Sequence, residues 1–139
     1  MTTVDMTRIS KEEDNIKVVK KAFSLMASGK LEEFYELFSD DCEVTQAASL
    51  PFGGVYRGKD AIRFAFARIM ETWEKVETHK LKYFCSGEDV IVHMVAGGVG
   101  PFTGKSFWMD ILELWRVRDG KVVEMKPFFF DTARLVEAL

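Results

Sequence analysis

Apolar residues are spaced differently in the two halves of the chain, which predicts helices first and strands afterwards. Ser10 and Glu13 have the spacing of a helix-capping box, and Gly29 is suited to end the helix that follows. A second, short helix comes directly after this glycine. The apolar residues of the two helices recur at helical intervals, at Ile16, Val19, Phe23 and Met26 and then at Leu31, Phe34, Leu37 and Phe38.

The middle of the chain is predicted to contain a short strand, a loop and a third helix. The strand covers residues 42–46, and the loop covers residues 47–57, where one proline and two glycines occur. The third helix runs from about residue 59 to residue 73, because its apolar residues again share one helical face.

The second half predicts four strands connected by hairpins, followed by a short helix. Asp119 and Gly120 lie between two apolar runs, which is typical of a two-residue hairpin turn. Helices that are segregated from a mostly antiparallel sheet indicate an α+β domain. The predicted strands cover residues 76–85, 88–97, 103–118 and 121–130, and the last helix covers residues 132–139.

The predicted strand at residues 103–118 is largely apolar on both faces. The helices can cover one face, and the chain offers no further helix of any size for the other. We therefore expect a homodimer through the open sheet face. One face carries Phe107, Met109, Ile111, Glu113, Trp115 and Val117, and the other carries Trp108, Asp110, Leu112 and Leu114.

Composition narrows the class of protein. The chain has 139 residues, of which 47% are apolar, and this suits one domain with a single core. The net charge of −3, with scattered Lys and Arg residues, argues against nucleic acid as a partner. Cys42 and Cys85 form no metal-binding cluster, which indicates a reducing compartment and no metal site. No apolar run approaches the ~20 residues of a membrane helix, and the N-terminus is polar, so we expect a cytoplasmic protein.

Four stretches resemble the ketosteroid isomerase-like superfamily, also called nuclear-transport-factor-two-like, and within it the SnoaL-like proteins. They are LFSDDCEV at residues 37–44, GGVYRGKDAI at 53–62, ELWRVRDGKVVEM at 113–125 and PFFFDT at 127–132. The resemblance implies a cone of three N-terminal helices on a curved, mostly antiparallel mixed sheet, with a short C-terminal helix, an apolar pocket and dimerisation. It extends from about Asn15, so residues 1–14 would form a flexible arm and the start of the first helix, and residues 15–139 a single SnoaL-like domain.

The groups that act in ketosteroid isomerases are only partly present. The position of the general-base Asp is occupied by Gln46, and the position of a tyrosine in the first helix by Ala22. The position of the oxyanion-hole acid is Glu113, which retains a carboxyl group. An amide cannot serve as a base near neutral pH, so the steroid isomerase mechanism is not expected.

The residues that act in the epoxide hydrolases of the superfamily are also only partly present in this chain. Met94 and Ala96 occupy the positions of their Arg and Asp, although Asp131 matches their Asp at the end of the last strand. Polyketide cyclases need one acid–base carboxylate in an apolar pocket, and this chain can meet that pattern. The superfamily also includes dehydratases and modules without catalysis, so the fold alone does not assign a function.

Three polar residues are candidates for catalysis, each with a plainer alternative. Glu113 would be desolvated, with a raised pKa, or would form a salt bridge with Arg116 or another arginine. Asp131 would cap the last helix, lie at the mouth of the pocket, or do both. Gln46 would orient a carbonyl group or a water molecule, or would simply be a polar residue at the end of a strand.

The resemblance also supplies a set of ligand-binding candidates and an expected activity. The hydroxyl of Tyr56 would reach the pocket or belong to a structural segment, and His93 would lie on the dimer side as an interface histidine or act as a general base. We expect an isomerase, cyclase or dehydratase that acts without a cofactor on a hydrophobic carbonyl compound of steroid, terpenoid or polyketide type. The alternatives are a non-catalytic protein that binds a small hydrophobic molecule, and a dimerisation module with a filled cavity. The expected apolar lining is Phe23, Phe66, Met94, Ile111, Trp115 and Phe129.

Overall fold

The computed structural model describes residues 2–139, which form four helices and six strands. The helices are α1 (Thr3–Ala27), α2 (Leu31–Glu36), α3 (Lys59–Thr72) and α4 (Thr132–Ala138). The strands are β1 (Phe38–Gln46), β2 (Gly54–Arg57), β3 (Glu74–Ser86), β4 (Asp89–Val99), β5 (Ser106–Arg118) and β6 (Lys121–Phe129).

The six strands form one curved, open, mixed sheet in the order β2-β1-β6-β5-β4-β3. Strands β1 and β6 are parallel, and every other pair of neighbours is antiparallel. Helix α1 contacts β3, β4 and β5, whereas α3 contacts β1 and β2. The predicted α+β class, with N-terminal helices on a mostly antiparallel mixed sheet and a short C-terminal helix, is confirmed.

One face of the sheet is covered by the helices, and we call it the inner face; we call the opposite face the outer face. Strand β5 shows the difference directly, because Ile111 on its inner face is 6% exposed and Leu112 on its outer face is 46% exposed. Aromatic rings fill much of the space between the inner face and the helices. The ring of Phe34 lies 5.1 Å from that of Phe66, and the ring of Phe23 lies 5.7 Å from that of Trp115.

Helix α1 begins earlier than the sequence pattern predicted. Thr2 caps the helix: its hydroxyl accepts a hydrogen bond from the backbone N–H of Asp5, whose carboxylate accepts in return from the N–H of Thr2. Ser10 and Glu13 lie inside the helix, so the capping box placed there was wrong. Residues 3–9 contain no glycine or proline to interrupt the helix, and the earlier cap therefore prevails. Gly29, with φ of 71°, follows the helix as predicted.

The region before α3 has more residues in β-strands than the sequence pattern predicted. Strand β1 begins at Phe38, four residues before the predicted strand at residues 42–46, and β2 lies in the predicted loop. Strand β2 has only four residues, one of them glycine, and it is an edge strand whose one neighbour is β1. Such a short segment carries too few side chains for a clear alternation, so its pairing depends on β1.

Strand β3 contains two bulges that bend the edge of the sheet. Glu74 pairs with Val99 and Glu77 with Gly97, so three steps along β3 correspond to two along β4. The same offset recurs between His79 and Lys82. Each bulge holds one lysine in the left-handed region, Lys75 with φ of 50° and Lys80 with φ of 56°. An extra residue in one strand increases its local twist and bend, and this gives the sheet its curvature next to the helices.

The predicted hairpin between β5 and β6 is confirmed. Asp119 and Gly120 have φ values of 50° and 77°, and Arg118 pairs with Lys121 across the turn. Two consecutive positive φ angles are those of a type I′ turn, which matches the right-handed twist of the flanking strands.

Candidate functional site

A cavity of about 170 Å³ lies between the inner face of the sheet and α3. Val76 and Thr78 on β3 form its outer part, where Val76 is 56% exposed, and Ile69 and Trp73 line the cavity near the end of α3. The deeper lining is apolar apart from two side chains, Gln46 and Glu113. The remaining lining residues are Phe23, Phe52, Phe66, Met94, Ala96, Gly97, Phe107, Ile111, Met125, Pro127, Phe129 and Leu135.

Most of the ligand-binding candidates line this cavity, but two do not. Trp115 lies behind Glu113, and its indole N–H donates to Glu113 Oε1 at 3.0 Å. The hydroxyl of Tyr56 donates to the carbonyl oxygen of Phe52 at 2.8 Å, so it supports the loop before β2. The other five, namely Phe23, Phe66, Met94, Ile111 and Phe129, are lining residues.

Glu113 presents the carboxyl group of this cavity. Its neighbours on the inner face of β5 are Ile111 and Trp115, both buried. Removal from water raises the pKa of Glu113 to about 7, although the hydrogen bond from Trp115 acts in the opposite direction. The predicted alternative, a salt bridge with Arg116, is not formed. Arg116 is on the outer face, where its guanidinium binds Asp89 at 2.9 Å and Glu124 at 2.8 Å.

Gln46 is the second polar group of the cavity and is 4% exposed. Its Oε1 atom has no hydrogen-bond partner among the residues that the structure describes. The position of Gln46 follows from the sheet, because Val44 on β1 is opposite Met125 on β6. Two residues further along the parallel pair, Gln46 comes opposite Pro127, which itself pairs with Glu113 on β5. Gln46 and Glu113 are thus separated by one strand.

Asp131 does not line the cavity. Strand β6 ends at Phe129, and the Asp131 carboxylate accepts a hydrogen bond from the backbone N–H of Ala133 at 3.1 Å, which caps α4. The side chain of Phe129 lines the cavity two residues earlier. The alternation that would have placed Asp131 on the same face as Phe129 ends with the strand, and the local cap determines the orientation of the carboxylate.

Comparison with known proteins agrees with this architecture. Residues 19–125 match the family model for the SnoaL-like domain, which is more than half of the chain. The chain belongs to the SnoaL-like family. No curated protein matches this SnoaL-like chain significantly.

Three solved structures similar to this SnoaL-like chain share its fold over almost their whole length. An NTF2-like protein from Burkholderia thailandensis is 28% identical, with a TM-score of 0.81, and the match covers 89% of this chain and 95% of that chain. An NTF2-like protein from Burkholderia xenovorans is 25% identical, with a TM-score of 0.83 and coverage of 91% and 96%. TerC, co-crystallised with polyporic acid, is 20% identical, with a TM-score of 0.79 and coverage of 90% and 97%.

The outer face of the SnoaL-like sheet carries a separate apolar groove. His93 is on this face, and its Nε2 atom lies 3.5 Å from a carboxylate oxygen of Asp110. Large apolar side chains surround the pair, among them Phe84, which is 56% exposed, and Phe128, which is 54% exposed. Phe129 borders both this groove and the internal cavity.

Several features of the SnoaL-like site were not found from the sequence. Pro127 and Leu135 line the cavity, and Val76 and Thr78 form its outer part. The alternation of β6 places Pro127 on the same face as Phe129 and could have identified it. Val76 and Thr78 gave no such signal, because the bulges of β3 shift the alternation along that strand.

The described residues contain no group of three or more His, Cys, Asp or Glu side chains placed to hold a metal ion. Among them, no helix has both the length and the apolar character needed to cross a membrane.

Proposed function

We propose that this SnoaL-like protein is a cofactor-independent enzyme that moves a proton on a hydrophobic carbonyl compound bound in the internal cavity. One observation carries the proposal: Glu113 presents a carboxyl group on the wall of an otherwise largely apolar cavity. The pKa of about 7 means that both its protonated and its ionised form are populated near neutral pH. A group with such a pKa both takes up and releases protons efficiently at that pH.

The two polar groups of the cavity suit complementary tasks. The amide N–H of Gln46 can donate to the carbonyl oxygen of a ligand while ionised Glu113 removes a proton from the adjacent carbon. The negative charge that develops on the carbonyl oxygen is then stabilised by the amide. Return of the proton to a different carbon completes an isomerisation, whereas its transfer from Glu113 to a β-hydroxyl group, which leaves the enolate as water, completes a dehydration. Attack of the enolate carbon on a second carbonyl group forms a carbon–carbon bond and an alkoxide, and return of the proton from Glu113 to that alkoxide completes a cyclisation.

Substitution of Glu113 tests the proposal. Enolisable ketones of polyketide and terpenoid type would first be screened for turnover, and the active compound would then be given to Glu113→Gln. We expect turnover to fall by about 10²–10⁴-fold, since general acid–base catalysis contributes that much. Asp131→Asn is the matched control, because that carboxylate is outside the cavity, and it should retain activity. Unchanged turnover in Glu113→Gln would contradict the proposal.

A non-catalytic ligand-binding protein is the second candidate. The observation in its favour is that Glu113 is the one ionisable side chain among the cavity-lining residues that the structure describes. This candidate predicts binding of the same compounds without turnover. A dimerisation module with a filled interior is less well supported, because the cavity retains about 170 Å³.

We propose that a second copy of the chain covers the outer face. The centre of this face is apolar, with Trp108 47% and Leu112 46% exposed, and charged pairs around Arg116 lie towards its edge. An apolar centre with a polar rim is the usual composition of a protein interface. A homodimer would bring two identical patches together about a two-fold axis. We also propose the cytoplasm as the location, since Cys42 and Cys85 are free thiols.

A further inference from the structure

We propose that the internal cavity recognises a compact, single-ring compound that carries a hydrogen-bond donor, and that Gln46 Oε1 accepts the hydrogen bond from this donor. The inference deepens the proposed function. It rests on that function because the presence of a ligand carbonyl group near Glu113 is taken from it. It narrows the substrate class to monocyclic carbonyl compounds with a hydroxyl or enol group.

The volume of the cavity sets the size of the ligand. About 170 Å³ is available, whereas pockets for drug-sized ligands occupy roughly 300–1,000 Å³. An apolar protein cavity of about 150 Å³ holds one benzene molecule. The cavity therefore has room for one six-membered ring with small substituents. A four-ring steroid skeleton exceeds this volume unless the surrounding core moves.

The unpaired oxygen of Gln46 sets the chemistry of the ligand. Gln46 is 4% exposed, and its Oε1 atom has no partner among the described residues. Burying an amide oxygen without a hydrogen bond destabilises a protein, so such groups in native structures almost always have a partner. The side chain lines the cavity, where a bound molecule can supply the missing donor. A ligand with an O–H or N–H group satisfies this oxygen, whereas a purely apolar ligand leaves it unpaired.

The spacing of the two polar groups fits one ring between them. Gln46 on β1 and Glu113 on β5 lie on either side of Pro127 on β6, the strand between them, as the pairing of β1, β6 and β5 shows. Strands are about 4.8 Å apart, so the two backbone positions are separated by roughly 10 Å. A ring that lies over buried Pro127 could then present its hydroxyl group and the neighbouring carbonyl oxygen to the amide of Gln46, and the carbon next to that carbonyl group to Glu113. The apolar walls contributed by Phe66 and Met94 would enclose the ring on its other sides.

Binding of two isomeric compounds tests the donor, and binding of a larger phenol tests the size. The isomers p-cresol and anisole have the same atoms, but p-cresol alone has an O–H donor. Dissociation constants would be measured by NMR titration at pH 6, where Glu113 is mostly protonated. We expect p-cresol to bind about tenfold more tightly than anisole, the effect of satisfying one buried acceptor. Estradiol has the same phenolic group on four rings and should not compete with p-cresol.

Variants assign the preference to a residue. Gln46→Leu retains the size of the side chain but removes the acceptor, so p-cresol and anisole should then bind equally. Thr45→Val, next to Gln46 but on the outer face, should bind like the wild type. Glu113→Gln should retain the preference even if it has lost turnover, which separates this inference from the catalytic proposal. Equal binding of the isomers by the wild type, a preference that persists in Gln46→Leu, or competition by estradiol would overturn the inference.

Discussion

Ile111 and Leu112 are neighbours on β5, yet their side chains belong to two different environments. Ile111 lies on the inner face among the cavity-lining residues, and Leu112 lies on the outer face beside His93 and Asp110. The two faces have similar apolar character in the sequence, but only one is covered within a single chain. The comparison shows that an apolar strand face does not by itself indicate burial, since something must be available to cover it.

Carboxyl groups show the same contrast between the two faces. On the outer face, Asp89 and Glu124 both bind Arg116. On the inner face, the one partner of Glu113 among the described residues is the indole N–H of Trp115, and burial raises the pKa of Glu113 to about 7. A carboxylate that is paired with a cation on the outer face is part of an ion pair. A carboxyl group without a cationic partner in an apolar cavity is suited to exchange protons.

The largest expected effect comes from truncating the same strand on its two faces. Ile111→Ala removes buried methyl groups and should lower the free energy of unfolding by roughly 2–5 kcal/mol. Leu112→Ala removes half-exposed surface and should lower it by less than about 1 kcal/mol in the monomer. Urea denaturation at low protein concentration would measure both. Equal losses would show that the outer face is as well packed as the inner one.

The second effect is a dependence of stability on pH that comes from Glu113. Its pKa is 4.5 in its ordinary environment and about 7 in the folded chain, so the folded state binds the proton more tightly. Stability from this group is therefore fully present below about pH 4.5 and is lost as the pH rises through 7. The shift corresponds to a loss of up to about 3 kcal/mol. Denaturation of the wild type and Glu113→Gln from pH 5 to 8.5 measures it. Parallel curves would show that Glu113 does not titrate in this way.

The third effect concerns the outer face alone. Leu112→Arg places two like charges near each other in the proposed dimer and should weaken dimerisation by about 100-fold or more. Met70→Arg, which changes a half-exposed residue on α3, is the matched control and should leave dimerisation unchanged. Sedimentation velocity over a range of concentrations would measure the dissociation constants. A wild type that stays monomeric at high concentration would exclude this interface.

The smallest effect should stabilise the protein. Gln46→Leu replaces a buried amide, whose oxygen has no partner among the described residues, with an apolar side chain of similar size, and we expect a gain of about 1 kcal/mol in the free energy of unfolding. Thermal denaturation without added ligand would detect the change. A loss of stability would mean that the amide of Gln46 already makes favourable interactions in the free protein.

The sequence predicted the elements whose side chains alternate clearly, and it predicted the cavity less well. Both faces of β5 and the turn at Asp119 and Gly120 followed from local patterns, because their causes lie within a few residues. Strand β2 did not, because its pairing depends on a distant partner. Glu113 was placed correctly on the inner face, but the orientation of Asp131 depended on whether the strand continued past Phe129. The volume of the cavity arises from the packing of many elements, and no local pattern encodes it.

The two bulges of β3 also determine where residues can be inserted or deleted in this strand. Each adds one residue to β3 while the pairing with β4 on either side stays intact. Loss of Lys80 would remove a bulge and leave His79 and Lys82 opposite their present partners. Loss of a residue within a regular part of the strand would instead turn every following side chain to the opposite face. Insertions and deletions at the two bulges therefore allow related sequences to alter the curvature of the sheet beside Val76 and Thr78. Such changes would alter the width of the cavity mouth without exchanging the two faces of the sheet.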